Sequence, residues 1–356
     1  MRQLNAWTYA VFLAGCFLGP GFVSGNELTQ FFGDFGLFGF LGLLIILFGI
    51  AALSTVVVAF AHDTAIAEAD KLAFGDRLPI LRGFVTGIQL GLMLAVLMIV
   101  TAGVGALLNS LLSLPIPLAS LLFALLITLL SFFGLSGLLR FLSLVVPFLS
   151  LTVVVLAVLL LPRWVEAGFP MPHGETQNPL LPNSVVSALT YISFGLGGSI
   201  AILTPAATAI RRRHILPGSL IGSFLLVLVA AAILIVLSLY PAAMQEELPM
   251  PVAVKEILPA LGILYSILLL LAMSGCALSK CYGIRAYFAT KWRFPAHHPR
   301  LFTVALVSVA YLCSLVGFGD LIGVLYPIFG YLSFLLLVAI LVRAVIYVRR
   351  KKKKTE

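Results

Sequence analysis

A glycine-rich stretch ending in a carboxylate, Leu18-Gly19-Pro20-Gly21-Phe22-Val23-Ser24-Gly25-Asn26-Glu27, lies near the middle of the first long apolar segment. Glycine and proline both weaken a helix interior, and an acidic side chain at membrane depth costs about 2.5–3.5 kcal/mol on insertion scales. Irregular backbone at that depth survives only inside protein or along a water-filled cavity, so the stretch predicts an interrupted span. A second stretch, Ser193-Phe194-Gly195-Leu196-Gly197-Gly198-Ser199, sits near the middle of the sixth apolar segment and predicts a second interruption. Two broken spans, one in each half of the chain, point to a solute site at the bilayer midplane.

The chemistry of such a site follows from orphaned backbone groups. Half-helices beginning near Ser24 and Ser199 would aim N–H groups at the midplane, which suits a carboxylate. Carbonyl ends near Leu18-Gly19 and Ser193-Phe194 would suit Na⁺ or an ammonium group. Gly19, Gly21, Gly25, Gly195, Gly197 and Gly198 would let a ligand approach bare backbone. Together with Ser24, Thr101, Tyr191, Ser193 and Ser199 they form the expected site for a small zwitterion, an amino acid or a related amine.

Glu27 has two readings. Ser24-x-x-Glu27 matches a capping box at a helix start. A carboxyl at this depth that takes up and releases a proton would instead couple transport to H⁺. The two are compatible. Thr101, Asn109, Tyr191, Ser193 and Ser274 also fall inside spans, where each is equally explained as an interhelical hydrogen bond. Glycines spaced as Gly39-x-x-Gly42 are common in packed membrane helices, and Gln89 and Lys280 can snorkel to the inner surface.

The elements that carry these residues are membrane helices. Hydrophobic residues make up 62% of 356 positions and charged ones 10%, with mean hydropathy +1.16. No soluble core needs that much apolar side chain. Runs long enough to span predict ten helices, at 6–31, 38–61, 83–110, 116–134, 137–161, 184–209, 216–240, 258–288, 302–318 and 321–346. With the amino terminus inside, only Arg163 and Lys255 of 22 Lys and Arg residues fall outside. Both termini are therefore expected in the cytoplasm, and the +9 net charge follows from topology and not from nucleic-acid binding.

Five spans per half invert the second half relative to the first, each half opening with its broken span, as in many secondary transporters. One transmembrane domain is expected, with repeats over about 6–161 and 184–346 and a basic tail over 347–356. The link 63–78 reads as an amphipathic surface helix, and the link 162–182, rich in proline, as irregular. The tail Arg349 to Lys354 reads as a stop-transfer anchor or a contact for anionic lipid. The opening segment lacks the cleavage site of a signal peptide, and none of Cys16, Cys276, Cys281 and Cys313 falls in an outer loop where a disulfide would form. His297-His298 has no nearby ligand partner and reads as ordinary loop.

Gly19 to Glu27, followed by Phe31-Phe32-Gly33-Asp34-Phe35-Gly36, resembles the opening of the YkvI-type bacterial membrane proteins. There a Gly-Ala-Gly-Phe-Ala-Ser/Thr-Gly stretch precedes an acidic residue and Phe-Phe. Tyr191 to Ala201 is similar to the sixth-span segment of that family. The resemblance implies the LeuT-like fold of the amino acid–polyamine–organocation transporters, with spans one, three, six and eight lining the site. It also implies that Ser274, on span eight, faces the first break and helps hold a cation. Two departures stand out: Pro20 replaces a small residue, and Gly195 stands where a polar side chain is expected.

The expected function is secondary active transport of a small solute in the bacterial cytoplasmic membrane, coupled to Na⁺ or H⁺ and needing no other cofactor. A ligand-sensing receptor subunit on the same fold, without net flux, is the alternative. Nothing in the chain resembles a catalytic triad, a metal cluster or a phosphate loop.

Overall fold

The computed structural model describes residues 4–75, 78–132, 145–172 and 178–352. The first apolar segment is divided into α1 (Ala6–Phe17), a single turn α2 (Pro20–Val23) and α3 (Asn26–Phe32). Next come α4 (Leu37–Thr64), short α5 (Ala69–Phe74), α6 (Pro79–Leu112) and α7 (Ile116–Phe132). Beyond 133–144 lie α8 (Val145–Glu166), α9 (Ser184–Ala207) and α10 (Ile215–Leu239). The chain then forms α11 (Pro249–Ile257), α12 (Pro259–Lys291), α13 (Arg293–His297), α14 (Pro299–Ser314) and α15 (Phe318–Lys352).

Among the described residues seven helices are long and apolar enough to cross a membrane. Three shorter apolar helices, α1, α7 and α14, accompany them. The expected end of the fourth span at 134 and start of the fifth at 137 lie outside the described residues. The expected irregular link begins later than 162, because α8 runs on through Pro162 to Glu166. The amphipathic link does form a helix, α5, whose Ala69, Leu72 and Ala73 are buried. It is fixed by Arg82 on Asp70 at 2.7 Å and by Arg343, whose guanidinium donates to the Lys71 and Leu72 carbonyls.

At the centre α9 packs between α4 and α15, α4 also packs on α10, and α1 lies chiefly along α10. On the other flank α6 packs on α12 and α7. One end of the bundle carries α5 and Arg211 to Arg213, and is called the basic end below. The opposite end carries the close of α3, the 240–248 link and the start of α15, with Asp34, Glu246, Glu247 and Asp320. It is called the acidic end.

The first interruption has two physical causes. Pro20 has no N–H to donate, so the ladder of α1 stops, and Leu18 N–H closes it on the Ala14 carbonyl. Gly25 then adopts φ +87°, which other residues rarely tolerate, and re-aims the chain into α3.

The second expected interruption is corrected: α9 runs without a break from Ser184 to Ala207, through Ser193–Ser199. Its glycines make room for neighbours and keep helical geometry. A Cβ at Gly195 would overlap the Phe17 ring, one at Gly197 would overlap Ser333, and one at Gly198 would lie 3.1 Å from Leu92. Small residues that admit close helix contacts offset their own helix penalty of about 1 kcal/mol each. Ser193 and Ser199 return their hydroxyls to the carbonyls of Leu189 and Gly195, at 2.8 and 2.6 Å. The half-helix terminus expected at Ser199 for a carboxylate is therefore absent.

Candidate functional site

The break places Glu27 in the first turn of α3, and its side chain is only 3% exposed. Its Oε1 accepts a hydrogen bond of 2.9 Å from the Tyr191 hydroxyl of α9. Its Oε2 sits where only a glycine fits, because a Cβ on Gly21 would come within 2.9 Å of it and within 3.4 Å of the Tyr326 hydroxyl. Three segments distant in sequence therefore meet at one carboxyl group.

Aromatic rings pack around Tyr191 and Tyr326. Phe31 and Phe32 meet Tyr191 edge-on, with centroids 5.3 and 5.6 Å apart, and Phe194 stacks on Tyr326 at 4.1 Å. A buried carboxylate is not compensated by one hydrogen bond, so the site calls for a proton on the carboxyl or a cation beside it.

The capping-box reading of Ser24 and Glu27 is corrected by this geometry. Gly25 is the residue that begins α3. Ser24 Oγ donates to the Gly21 carbonyl at 2.8 Å and accepts from Asn26 N–H at 3.4 Å, while the Glu27 side chain turns away to Tyr191. Two orphaned carbonyls of the break are taken by other elements: Val23 by the Tyr265 hydroxyl at 2.5 Å and Ser24 by Met250 N–H at 2.9 Å. Gly19 has open space around the position of a Cβ, its nearest neighbour being the Phe17 carbonyl at 3.9 Å.

Other expected site residues lie elsewhere or serve locally. Thr101 is buried and donates to the Leu97 carbonyl one turn back, at 2.8 Å. Ser274 donates to the Leu270 carbonyl at 2.8 Å and lines an otherwise apolar cavity of about 430 Å³ between α6, α7 and α12. No residue of the first break lines that cavity, so its wall is unsuited to a cation. Gly197 and Gly198 face Ser333 and Leu92, and Gly195 faces Phe17. Tyr191 is the one sixth-span residue of the expected set that bonds Glu27.

Sequence reasoning missed Tyr265, Tyr326, Asn26 and the whole of α11. A tyrosine inside an apolar helix needs an acceptor for its hydroxyl, and that signal was present at both tyrosines. Asn26 Nδ2 donates to the Glu247 carbonyl at 3.1 Å, and Gln30 Nε2 to the Gly319 carbonyl at 3.4 Å. Both contacts tie α3 to the acidic end.

No protein-family model matches the chain. It is 24% identical over 345 residues to the uncharacterized membrane protein YkvI of Bacillus subtilis (strain 168), covering 95% of each chain. Among solved structures it matches the inward-facing conformation of Mhp1 with a TM-score of 0.64 at 16% identity, covering 93% of this chain and 74% of that one. Mhp1 as a nucleobase-cation-symport-1 family transporter, closed with bromovinylhydantoin bound, matches with a TM-score of 0.51 at 16% identity, covering 88% and 71%. The chain is thus similar to YkvI-type membrane proteins along nearly its whole length, and its all-helical fold is LeuT-like.

Proposed function

We propose that this protein is a secondary active transporter of a small amine-bearing solute, working by alternating access and coupled to H⁺ or Na⁺. The observation that carries the reading is Glu27, buried just beyond an interrupted first span and bonded to Tyr191 on the sixth. A lone carboxyl between two apolar elements has no structural need that a neutral residue would not meet better. Its value lies in exchanging a positive partner. The fold shared with a transporter supports the same reading.

In this proposal the chain spans a cytoplasmic membrane ten times, as a single domain of two inverted five-span repeats with both termini inside. Seven long and three shorter apolar helices support the count, and the concentration of Lys and Arg at the basic end supports the orientation. Glu27 is the coupling residue and Tyr191 its partner. Gly19 gives the solute room beside the break, while Gly21 makes room for the Glu27 carboxyl.

The test is uptake by proteoliposomes of labelled amino acids and amines under an imposed Na⁺ or proton gradient. Gradient-driven accumulation supports the proposal. Saturable binding without accumulation would favour a receptor on this fold and overturn it.

A further inference from the structure

The apolar cavity of about 430 Å³ takes no part in the Glu27 site and follows the length of α7. Leu122, Leu126 and Leu130 set one row of side chains along about 12 Å of that helix, at the four-residue spacing that shares a face. Leu270 and Leu271 of α12 form the facing wall. Leu122 and Leu126 are each about half exposed, so the space is a groove on the flank of the bundle. Ser274, the polar residue of the lining, has its hydroxyl bonded to the Leu270 carbonyl at 2.8 Å. Such a surface offers nothing to a polar solute and suits hydrocarbon.

Charge gathers where α7 returns to the basic end. There the Tyr282 hydroxyl donates to the Ser131 carbonyl at 3.0 Å, and half-buried Arg285 adds a long contact of 3.5 Å to the same oxygen. The Arg285 guanidinium lies over the Tyr282 ring, 4.8 Å from its centroid, and that of exposed Arg300 lies 5.8 Å from the Phe132 centroid. Two guanidinium groups thus bracket Ser131 and Phe132, the residues that directly follow Leu130 of the groove. Among the described residues neither meets a carboxylate. The sequence gives the reason: no Asp or Glu occurs in 79–144 or 257–319, which hold α6, α7, α12 and α14, whereas 257–319 carries Lys280, Arg285, Lys291, Arg293 and Arg300. Membrane topology accounts for basic residues at this end, but it does not place two guanidinium groups on adjacent residues at the mouth of a groove. Each fork has five N–H donors, and phosphate oxygens match that fork two at a time.

We propose that the groove and the two guanidinium groups form one site for an anionic phospholipid, with an acyl chain along Leu122, Leu126 and Leu130 and the phosphate at Arg285 and Arg300. A zwitterionic lipid offers the same chain without net charge, so the arginines choose among lipids that would fill the groove equally well. With the basic end on the cytoplasmic side, the lipid belongs to the inner leaflet. The site needs a bilayer and no solute, and it stands apart from the transport reading.

The experiment is native mass spectrometry of the full-length protein, delipidated in detergent and titrated with dioleoylphosphatidylglycerol or dioleoylphosphatidylcholine, probes of equal chain and different charge. One phosphatidylglycerol should be retained per chain, about tenfold or more tightly than phosphatidylcholine. Arg285→Gln with Arg300→Gln should bring it down to the phosphatidylcholine level. Arg349→Gln with Arg350→Gln removes the same charge from the tail and should change nothing. Leu126→Trp fills the groove with both charges in place and should weaken both lipids. An unchanged thermal midpoint checks that each variant is folded. Equal retention of the two lipids, an equal loss in the tail variant, or full binding by Leu126→Trp overturns the inference. Displacement by millimolar inorganic phosphate would also overturn it, by marking a site for a free anion. Proteoliposome uptake is read separately, so its failure would count against the transporter alone.

Discussion

At the residue scale the argument concerns one carboxyl group and the atoms that hold it. Tyr191→Phe removes the hydroxyl opposite Glu27 Oε1. It is expected to cost about 1–3 kcal/mol, the range for a buried acceptor losing its donor, read from the thermal midpoint of the purified protein. Glu27→Gln keeps an oxygen that can accept from Tyr191, so it should fold and insert while losing any dependence of uptake on pH. An unchanged pH profile would remove Glu27 from the coupling step. Gly21→Ala separates site from scaffold. Its methyl group would press on Glu27 Oε2, whereas one at Gly15 would meet nothing within 4 Å. Uptake should fall sharply in the first variant and hold in the second, with both proteins similarly stable. Equal uptake by the two would show that the carboxyl position does not matter.

At the element scale the two glycine-rich stretches read alike in sequence and behave differently in the fold. The first was legible because it carries more than glycine: Pro20 lacks a donor, and Gly25 needs a positive φ. The second has no proline and no positive φ, and its glycines fit a continuous helix when a neighbour fills the space above them. Phe17 over Gly195 and Ser333 over Gly197 come from segments about 180 and 136 residues away, distances over which no local pattern reports. Apolar periodicity fixed where helices lie, and short loops limited their order, but long-range packing decides whether a glycine breaks a helix or seats one. Tyr191 and Glu27 were each legible as polar residues in apolar spans, whereas their pairing across 164 residues was not. Gly25→Ala should cost about 1–2 kcal/mol from its left-handed backbone, and more from Met250 and Leu237, which lie 3.0 and 3.2 Å from the added methyl. Gly195→Ala should cost about 1–3 kcal/mol through overpacking against Phe17. Thermal midpoints measure both. A neutral Gly195→Ala would mean that α9 does not press on α1 as described.

At the scale of the whole molecule the two ends of the bundle differ in what restrains the broken span. At the acidic end α2 and α3 are fastened on several sides, by Tyr265 on the Val23 carbonyl, Met250 on Ser24, Asn26 on Glu247 and Gln30 on Gly319. At the basic end α1 packs along α10, with Leu4 N–H donating to the Ala209 carbonyl at 2.8 Å and the Tyr9 and Ser219 hydroxyls 3.1 Å apart. A stripe of exposed residues, Trp7, Val11 and Gly15, runs along its outer side toward the break. Half-buried Cys16, Leu18 and Gly19 continue that side to the level of the irregular backbone. In the proposed alternating access the acidic-end fastenings release as the basic end closes, so weakening them should move the population that way. Tyr265→Phe deletes one of them without changing the size of the ring. One hydrogen bond of about 1 kcal/mol corresponds to a shift of about fivefold between the two arrangements. Cys16 reports the shift when Cys276, Cys281 and Cys313 are replaced by serine. A membrane-impermeant maleimide reaching it from the basic end should react about fivefold more slowly in Tyr265→Phe. The rate should recover when Tyr265 is restored in the same background. A rate that does not change would mean that the Tyr265 bond fixes the helix end and takes no part in opening and closing.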